Sequence, residues 1–406
     1  MRGNPFSSWN MLLLAVVTLT LASSAEAAPK CKILHAFGKG SDGGGVWGGL
    51  VFDADGNAYG TTINGGTYNF GTVFELTPHS NGRWTETVLH NFNCKDDDGC
   101  MPVDTLAIDA EGNLYGATNT STFELSPGSG GWHLSILHSS SSGDLILDQG
   151  GNLYGPLGLG EYGQGAISAL VKDQGWTENW LYSFCAKHNS KHLCMDGNDP
   201  WADVTWGPEG SLYGTTVRGG TSSLDHFGNV GGGVAFRLNP QQDGTWKETV
   251  LHSFPAFKSD GSKPYEGVVL DKAGNVYGAT YQGGSSTGCG VIFKLAPQGN
   301  DKWKETILYD FPKLSQGCIA NTMAFDAKGN LWGTSQSGGA SNNGVLFELT
   351  AQQSGKWKYH VVHQFNWKDG SLPGSAVTFD KQGNLYGTTI VGGAPYYGGV
   401  AFEITP

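Results

Sequence analysis

Phe379-Asp380-Lys381-Gln382-Gly383-Asn384-Leu385-Tyr386-Gly387-Thr388-Thr389, followed by Gly392-Gly393 and Gly399-Val400-Ala401-Phe402-Glu403-Ile404, is the clearest of seven copies of one phrase. The first glycine of each copy falls at Gly56, Gly112, Gly151, Gly210, Gly274, Gly329 and Gly383. Successive copies lie 56, 39, 59, 64, 55 and 54 residues apart, so the chain is a repeat protein along most of its length. An aspartate opens the turn in six copies (Asp53, Asp109, Asp148, Asp271, Asp326, Asp380), and Gly207 replaces it in the fourth. Six acidic residues in register suggest a metal array. Seven identical hairpins explain them better, because the carboxylate caps its own turn while Gly and Asn tolerate positive φ.

Outward from the phrase, each copy parses into four strands. The first is a short apolar run such as Leu50-Val51-Phe52, and the second is the Leu-Tyr-Gly-Thr-Thr run. The third resembles Val73-Phe74-Glu75-Leu76, and the fourth opens on tryptophan at Trp84, Trp132, Trp176, Trp246, Trp303 and Trp357. That makes six tryptophan strands for seven phrases. Cys31-Lys32-Ile33-Leu34-His35-Ala36-Phe37 matches the end of the missing strand, as in Thr249-Val250-Leu251-His252-Ser253-Phe254. An N-terminal strand that completes the last repeat closes a ring and removes the exposed sheet edge, which a solenoid would not need. The expected fold is therefore all-β: a seven-bladed β-propeller of four-stranded antiparallel blades.

Composition agrees. Sixty-four glycines without a Gly-X-Y period exclude collagen, and regular apolar positions exclude a disordered linker. A formal charge of −12 argues against a nucleic-acid partner. Residues 1–27 read as a signal peptide, with Arg2, an apolar stretch from Met11 to Ala22 and a small-x-small site at Ala25-Glu26-Ala27. The stretch is short for a transmembrane anchor, and Cys31 lacks a lipobox. Residues 28–406 are expected to form one domain that is exported, monomeric and not inserted in a membrane.

The run Leu-Tyr-Gly-Thr-Thr, Gly-Gly, then Gly-x-Val-Phe-x-Leu resembles the GloVer (Gloeo/Verruco) tandem repeat of exported bacterial proteins, and more loosely the strands of NHL-type propellers. The resemblance implies export and propeller-like repeats, and it supplies no activity. Many members carry a C-terminal anchoring segment; none precedes Pro406, so surface anchoring is not expected.

In a propeller the inter-blade loops and the second-to-third-strand loops share one face. These loops vary most, so function is expected there. Seven cysteines in an exported chain point to disulfides Cys94–Cys100, Cys185–Cys194 and Cys289–Cys318, with Cys31 odd. Zinc at the Cys185 loop with His188 and His192 is the weaker reading, since the spacing is not a standard zinc motif. His35, His90, His138, His252 and His363 recur in the fourth strand, with Tyr182 and Tyr309 in the other copies, and read as packing between strands. The Asp-Gly pairs at Asp42, Asp98, Asp196, Asp260 and Asp369 read as turns.

Departures from the repeat are more informative. Blade 2 is trimmed to Asn119-Thr120-Ser121-Thr122, with a short link from Ser139 to Gly143, while Cys185–Pro200 and Arg218–Gly232 are the longest loops. A low side beside a high wall makes a groove, whose wall offers His188, His192, Asp196, Asp199, Trp201, Arg218, Asp225 and His226. Trp201 stacks on a sugar or packs under its loop. At the start of the first strand Gly49, Thr105, Asp144, Asp203, Gly267, Thr322 and Ala376 are equivalent, with Asp104 and Glu266 one residue earlier. Asp144 and Asp203 then face each other at the channel mouth. A hydrated channel lining is the preferred reading; holding a cation such as calcium, or dividing acid and base roles on a glycan, is the alternative.

No His-Glu-x-x-His or phosphate loop occurs. The leading expectation is a binding module for a glycan or an extracellular protein, with no resident cofactor or metal. Its candidate ligand-binding residues are Asp104, Asp144, Trp201, Asp203, Arg218, Asp225 and Glu266. The alternatives are a carbohydrate-active hydrolase or lyase using Asp144 and Asp203 with His188, His192 or His226, and a purely structural surface or matrix module.

Overall fold

A computed structural model describes residues 29–95, 98–139, 143–190, 193–221, 231–256, 260–284 and 288–405. They form seven antiparallel sheets that follow one another as the blades of a propeller. Blade 7 is built from Thr378–Phe379, Leu385–Thr389 and Val400–Thr405, and its outermost strand is the N-terminal Lys30–Ala36. Lys30 pairs with Thr405 and Ala36 with Val400, with a register shift between Ile33 and His35. The fourth strands of the other blades shift at the same place, as between Val73 and Phe74 in blade 1. The closing strand is thus a true fourth strand. First strands are only two residues long, shorter than expected, and blade 6 gains a fifth strand, Cys318–Ala320. Among the described residues the only helices are three 3-10 turns, and none is long and apolar enough to cross a membrane.

The phrase now has a reason at each position. In blade 1, Asp53 Oδ1 accepts from the backbone N–H of Asp55 and Asn57, and Oδ2 accepts from the Asn57 amide and the Tyr59 hydroxyl. The same set recurs around Asp109, Asp148, Asp271, Asp326 and Asp380, with Trp332 Nε1 replacing the tyrosine in blade 6. In blade 4 the Tyr213 ring lies where a side chain at Gly207 would be, 2.2 Å from an added Cβ, so the aspartate is lost. The glycine of Leu-Tyr-Gly leaves room for the third-strand phenylalanine: a Cβ on Gly60 would meet the Phe74 ring at 2.6 Å. The first threonine joins blades, as Thr61 donates to Asp104 O and Thr388 to Gly48 O. The second ties its own loop, as Thr62 donates to Asn64 O and accepts from Thr72 N.

Phenylalanine fills the seams between blades. The one that ends a fourth strand packs on the third-strand phenylalanine of the next blade: Phe92 on Phe123, Phe184 on Phe236, Phe254 on Phe293, Phe311 on Phe347 and Phe365 on Phe402. Phe37 on Phe74 does the same at the closure. Only the seam between blades 2 and 3 lacks the pair: Ser168 stands at the third-strand position, and the fourth-strand counterpart, Ser140, lies outside the described residues.

Candidate functional site

The variable loops meet on one face. Inter-blade residues pair with the second-to-third-strand loop of the next blade at Gly44–Asn64, Asn198–Arg218, Ser262–Gln282 and Ser371–Val391. The disulfides are Cys94–Cys100, Cys185–Cys194 and Cys289–Cys318, the last joining two loops of this face. Cys31 is the free thiol, pushed up to about 12 by burial and then by the charge of Asp369. Sixteen described large apolar side chains are exposed, and only Ile33 and Trp180 lie off this face.

Four carboxylates from four successive blades gather where the first strands converge. Asp144 Oδ1 accepts from Thr105 N at 2.6 Å, linking blades 3 and 2. Asp203 lies over Gly267 in blade 5, its Oδ1 1.9 Å from where a Cβ would stand. Glu266 Oε2 accepts from Thr322 Oγ1 of blade 6 at 3.3 Å. Asp104, Asp144, Asp203 and Glu266 are each part-exposed along the channel, yet protein surrounds them on the other sides. That enclosure removes solvent from the charged forms. Burial pushes Asp144 up to about 6 against the hydrogen bonds from Thr105, and Glu266 up to about 7 with help from the charge of Asp144. Asp104 and Asp203 are raised by burial and then by neighbouring carboxylates, Asp144 acting on both. No three of the four bring oxygens within 4.8 Å of one another among the described residues; they influence one another through their charge.

Aromatic side chains rim one side of this cluster. Trp201 is 68 % exposed, so it does not pack under its loop. Its ring stands 6.5 Å from Tyr265, which stands 5.1 Å from Tyr281. Sequence reasoning missed both tyrosines. A signal existed for Tyr265 alone, which directly precedes Glu266.

Other candidates sit elsewhere. Next to the exposed His188, Lys187 binds Glu248 on the outermost strand of blade 4, which puts this part of the loop at the rim and away from the channel acids. Asp196 is fully buried and accepts from the Tyr182 hydroxyl, so it is a structural latch rather than part of a ligand wall. Arg218 is paired with Asp199 at 3.0 Å. His192, Asp225 and His226 lie outside the described residues, with residues 222–230 of the second long loop. The low side is a tight turn, with Thr118 N donating to Ser121 O. A cleft of about 510 Å³ lined by Trp180, Leu181 and Trp246 lies between the outer parts of blades 3 and 4, remote from the carboxylates.

The fourth-strand histidines are not simply strand packing. Three reach the Asp-Gly aspartate of the following loop: His35 to Asp42 at 3.1 Å, His90 to Asp98 at 2.8 Å and His363 to Asp369 at 3.2 Å, while His138 approaches Glu178 at 3.9 Å and His252 approaches Glu305 at 3.5 Å. Tyr182–Asp196 and Tyr309–Gln316 are the substituted versions. These pairs latch each loop to the blade it leaves.

The architecture defines the class as a seven-bladed propeller of a tandem-repeat protein, with an acidic channel mouth under variable loops. Residues 140–402 match the Gloeobacter/Verrucomicrobia repeat, and the chain belongs to that family. No curated protein matches its sequence. Similar solved structures include a gluconolactonase from Xanthomonas campestris, 16% identical over 73% of this chain and 83% of that one, TM-score 0.43. A family AA12 carbohydrate-active enzyme of Trichoderma reesei is 14% identical over 94% and 96%, TM-score 0.43. A nidogen/laminin complex contains a chain 14% identical over 73% and 91%, TM-score 0.42. Likenesses this distant carry no argument about activity.

Proposed function

We propose that the protein is an exported propeller that binds a glycan across the acidic channel mouth on its variable face. The observation that carries this reading is the aromatic row Trp201, Tyr265 and Tyr281 beside Asp203 and Glu266. Exposed aromatic faces stack on sugar rings, and carboxylates accept hydrogen bonds from sugar hydroxyls. The four clustered carboxylates favour a neutral glycan over a polyuronate, which would add like charge. Export is supported by the three disulfides and by the apolar N-terminal stretch. A second reading, a glycan hydrolase or lyase, is favoured by Asp144 and Glu266 holding protons near neutrality, as a general acid must.

The test is a panel of neutral and acidic polysaccharides, followed by isothermal calorimetry and by assays for new reducing ends and unsaturated uronates. Binding without new ends supports the module, and new ends that vanish in Asp144→Asn support the enzyme. A panel that neither binds nor reacts overturns both.

A further inference from the structure

The seam between blades 4 and 5 departs from the latch pattern. His252 lies on Trp246–Ser253, the outer strand of blade 4, and Glu305 on Trp303–Asp310, the outer strand of blade 5. Asp260 belongs to the loop between them. One donor atom from each of these three residues lies within 4.8 Å of the other two, and no other such His/Cys/Asp/Glu group occurs among the described residues. The His252 ring is held edge-on to Phe254 at 4.7 Å, as each latch histidine is held by the phenylalanine two residues on. In the latches the histidine Nε2 lies 2.8 to 3.2 Å from its aspartate. His252 Nε2 instead faces Glu305 Oε1 at 3.5 Å. Both atoms are shut off from solvent and neither has a hydrogen-bond partner.

The seam between blades 3 and 4 shows what a filled version looks like. There Tyr182 takes Asp196, and the Lys187 ammonium reaches Glu248, the counterpart of Glu305. A cation therefore already occupies the corresponding place one blade earlier, supplied by the chain itself. Among the described residues no lysine or arginine forms an ion pair with Glu305. Two ligand atoms on one tetrahedral zinc ion, each about 2.0–2.2 Å from the metal, stand roughly 3.3 Å apart. The 3.5 Å between His252 Nε2 and Glu305 Oε1 is close to that edge and long for a hydrogen bond.

We propose that His252, Asp260 and Glu305 bind a divalent transition ion of the zinc type, which staples the outer strands of blades 4 and 5. One imidazole and two carboxylates are a donor set that zinc accepts, leaving the fourth position for water. The site is at the rim, separate from the channel carboxylates, and it does the work that Lys187 does at the neighbouring seam.

The test uses the full mature chain, stripped with a chelator and titrated with Zn2+ by calorimetry, with Co2+ absorption as a second readout. The expected result is one equivalent bound, a higher melting temperature and a Co2+ d–d band. Glu305→Gln and His252→Asn should each weaken Zn2+ at least tenfold and remove the band, while Glu86→Gln, the counterpart at the closure, leaves both unchanged. Circular dichroism checks that each variant is folded; should one variant not fold, the other decides. Absence of a Zn2+ isotherm in the stripped parent, or an unaltered isotherm in the folded variants, overturns the proposal.

Discussion

Replacing Phe37 with alanine asks whether the two ends of the chain are joined as firmly as neighbouring blades. Phe37 is fully buried, and its ring centroid stands 4.7 Å from that of Phe74 in blade 1. It does at the closure what Phe92, 5.3 Å from Phe123, does between blades 1 and 2. Removing a buried phenylalanine ring costs about 3–5 kcal/mol, from lost transfer energy and from the cavity left behind. In a domain of this size that lowers the melting midpoint by roughly 4–6 °C. Ile33 sits on the strand that Phe37 directly follows but is 39 % exposed, so Ile33→Ala should cost about 1 kcal/mol or less. The assay is thermal and urea unfolding followed by near-UV circular dichroism, with Phe92→Ala as the internal standard. Equal losses for Phe37→Ala and Phe92→Ala are expected. A loss below about 1 kcal/mol for Phe37→Ala, beside a full loss for Phe92→Ala, would refute ring closure as a source of stability.

Two sets of carboxylates should give the stability profile opposite slopes. The hairpin aspartates such as Asp53 and Asp271 are desolvated, but hydrogen bonds from Asn, Tyr and backbone outweigh this and hold them below the usual range. Their contribution is full above the unfolded carboxylate value and is lost as pH falls through the lowered one. Asp144 and Glu266, raised to about 6 and about 7, keep protons that the unfolded chain has released, so stability falls as pH rises from about 4 through those values. Glu266→Gln should therefore flatten the decline in melting temperature between pH 4 and 7; an unchanged slope would show that Glu266 does not hold its proton in the folded chain. Trp201→Ala should weaken glycan binding by on the order of 1 kcal/mol, about fivefold by calorimetry, while Asp380→Asn on the opposite face leaves it unchanged. The reverse outcome would place the ligand on the hairpin face. Non-reducing peptide mapping should find six cysteines paired and Cys31 alkylated only slowly, since burial holds its thiol proton; rapid labelling of native Cys31 would contradict that burial.

Local chemistry made the blades legible. Asp53, Asn57 and Tyr59 lie within seven residues, so the hairpin they close is written in one short stretch, and seven copies fix the blade count. The N-terminal strand could be assigned because it repeats the end of a tryptophan strand. Asp104, Asp144, Asp203 and Glu266 could be placed near the channel because they fall at two adjacent positions of the repeat. Other features arise only when blades meet. The first threonine of the phrase was plain in sequence, but its partner is a carbonyl in the next blade, 43 residues from Thr61. The histidines and the Asp-Gly aspartates read as two unrelated patterns until folding set His35 against Asp42. Asp196, expected on a ligand wall, became a buried latch. Trp201, Tyr265 and Tyr281 come from three loops, and no spacing rule relates them. His252, Asp260 and Glu305 come from two blades and the link between them. Sequence period records what each repeat does for itself; what one blade does to the next depends on distances that only closure of the ring sets.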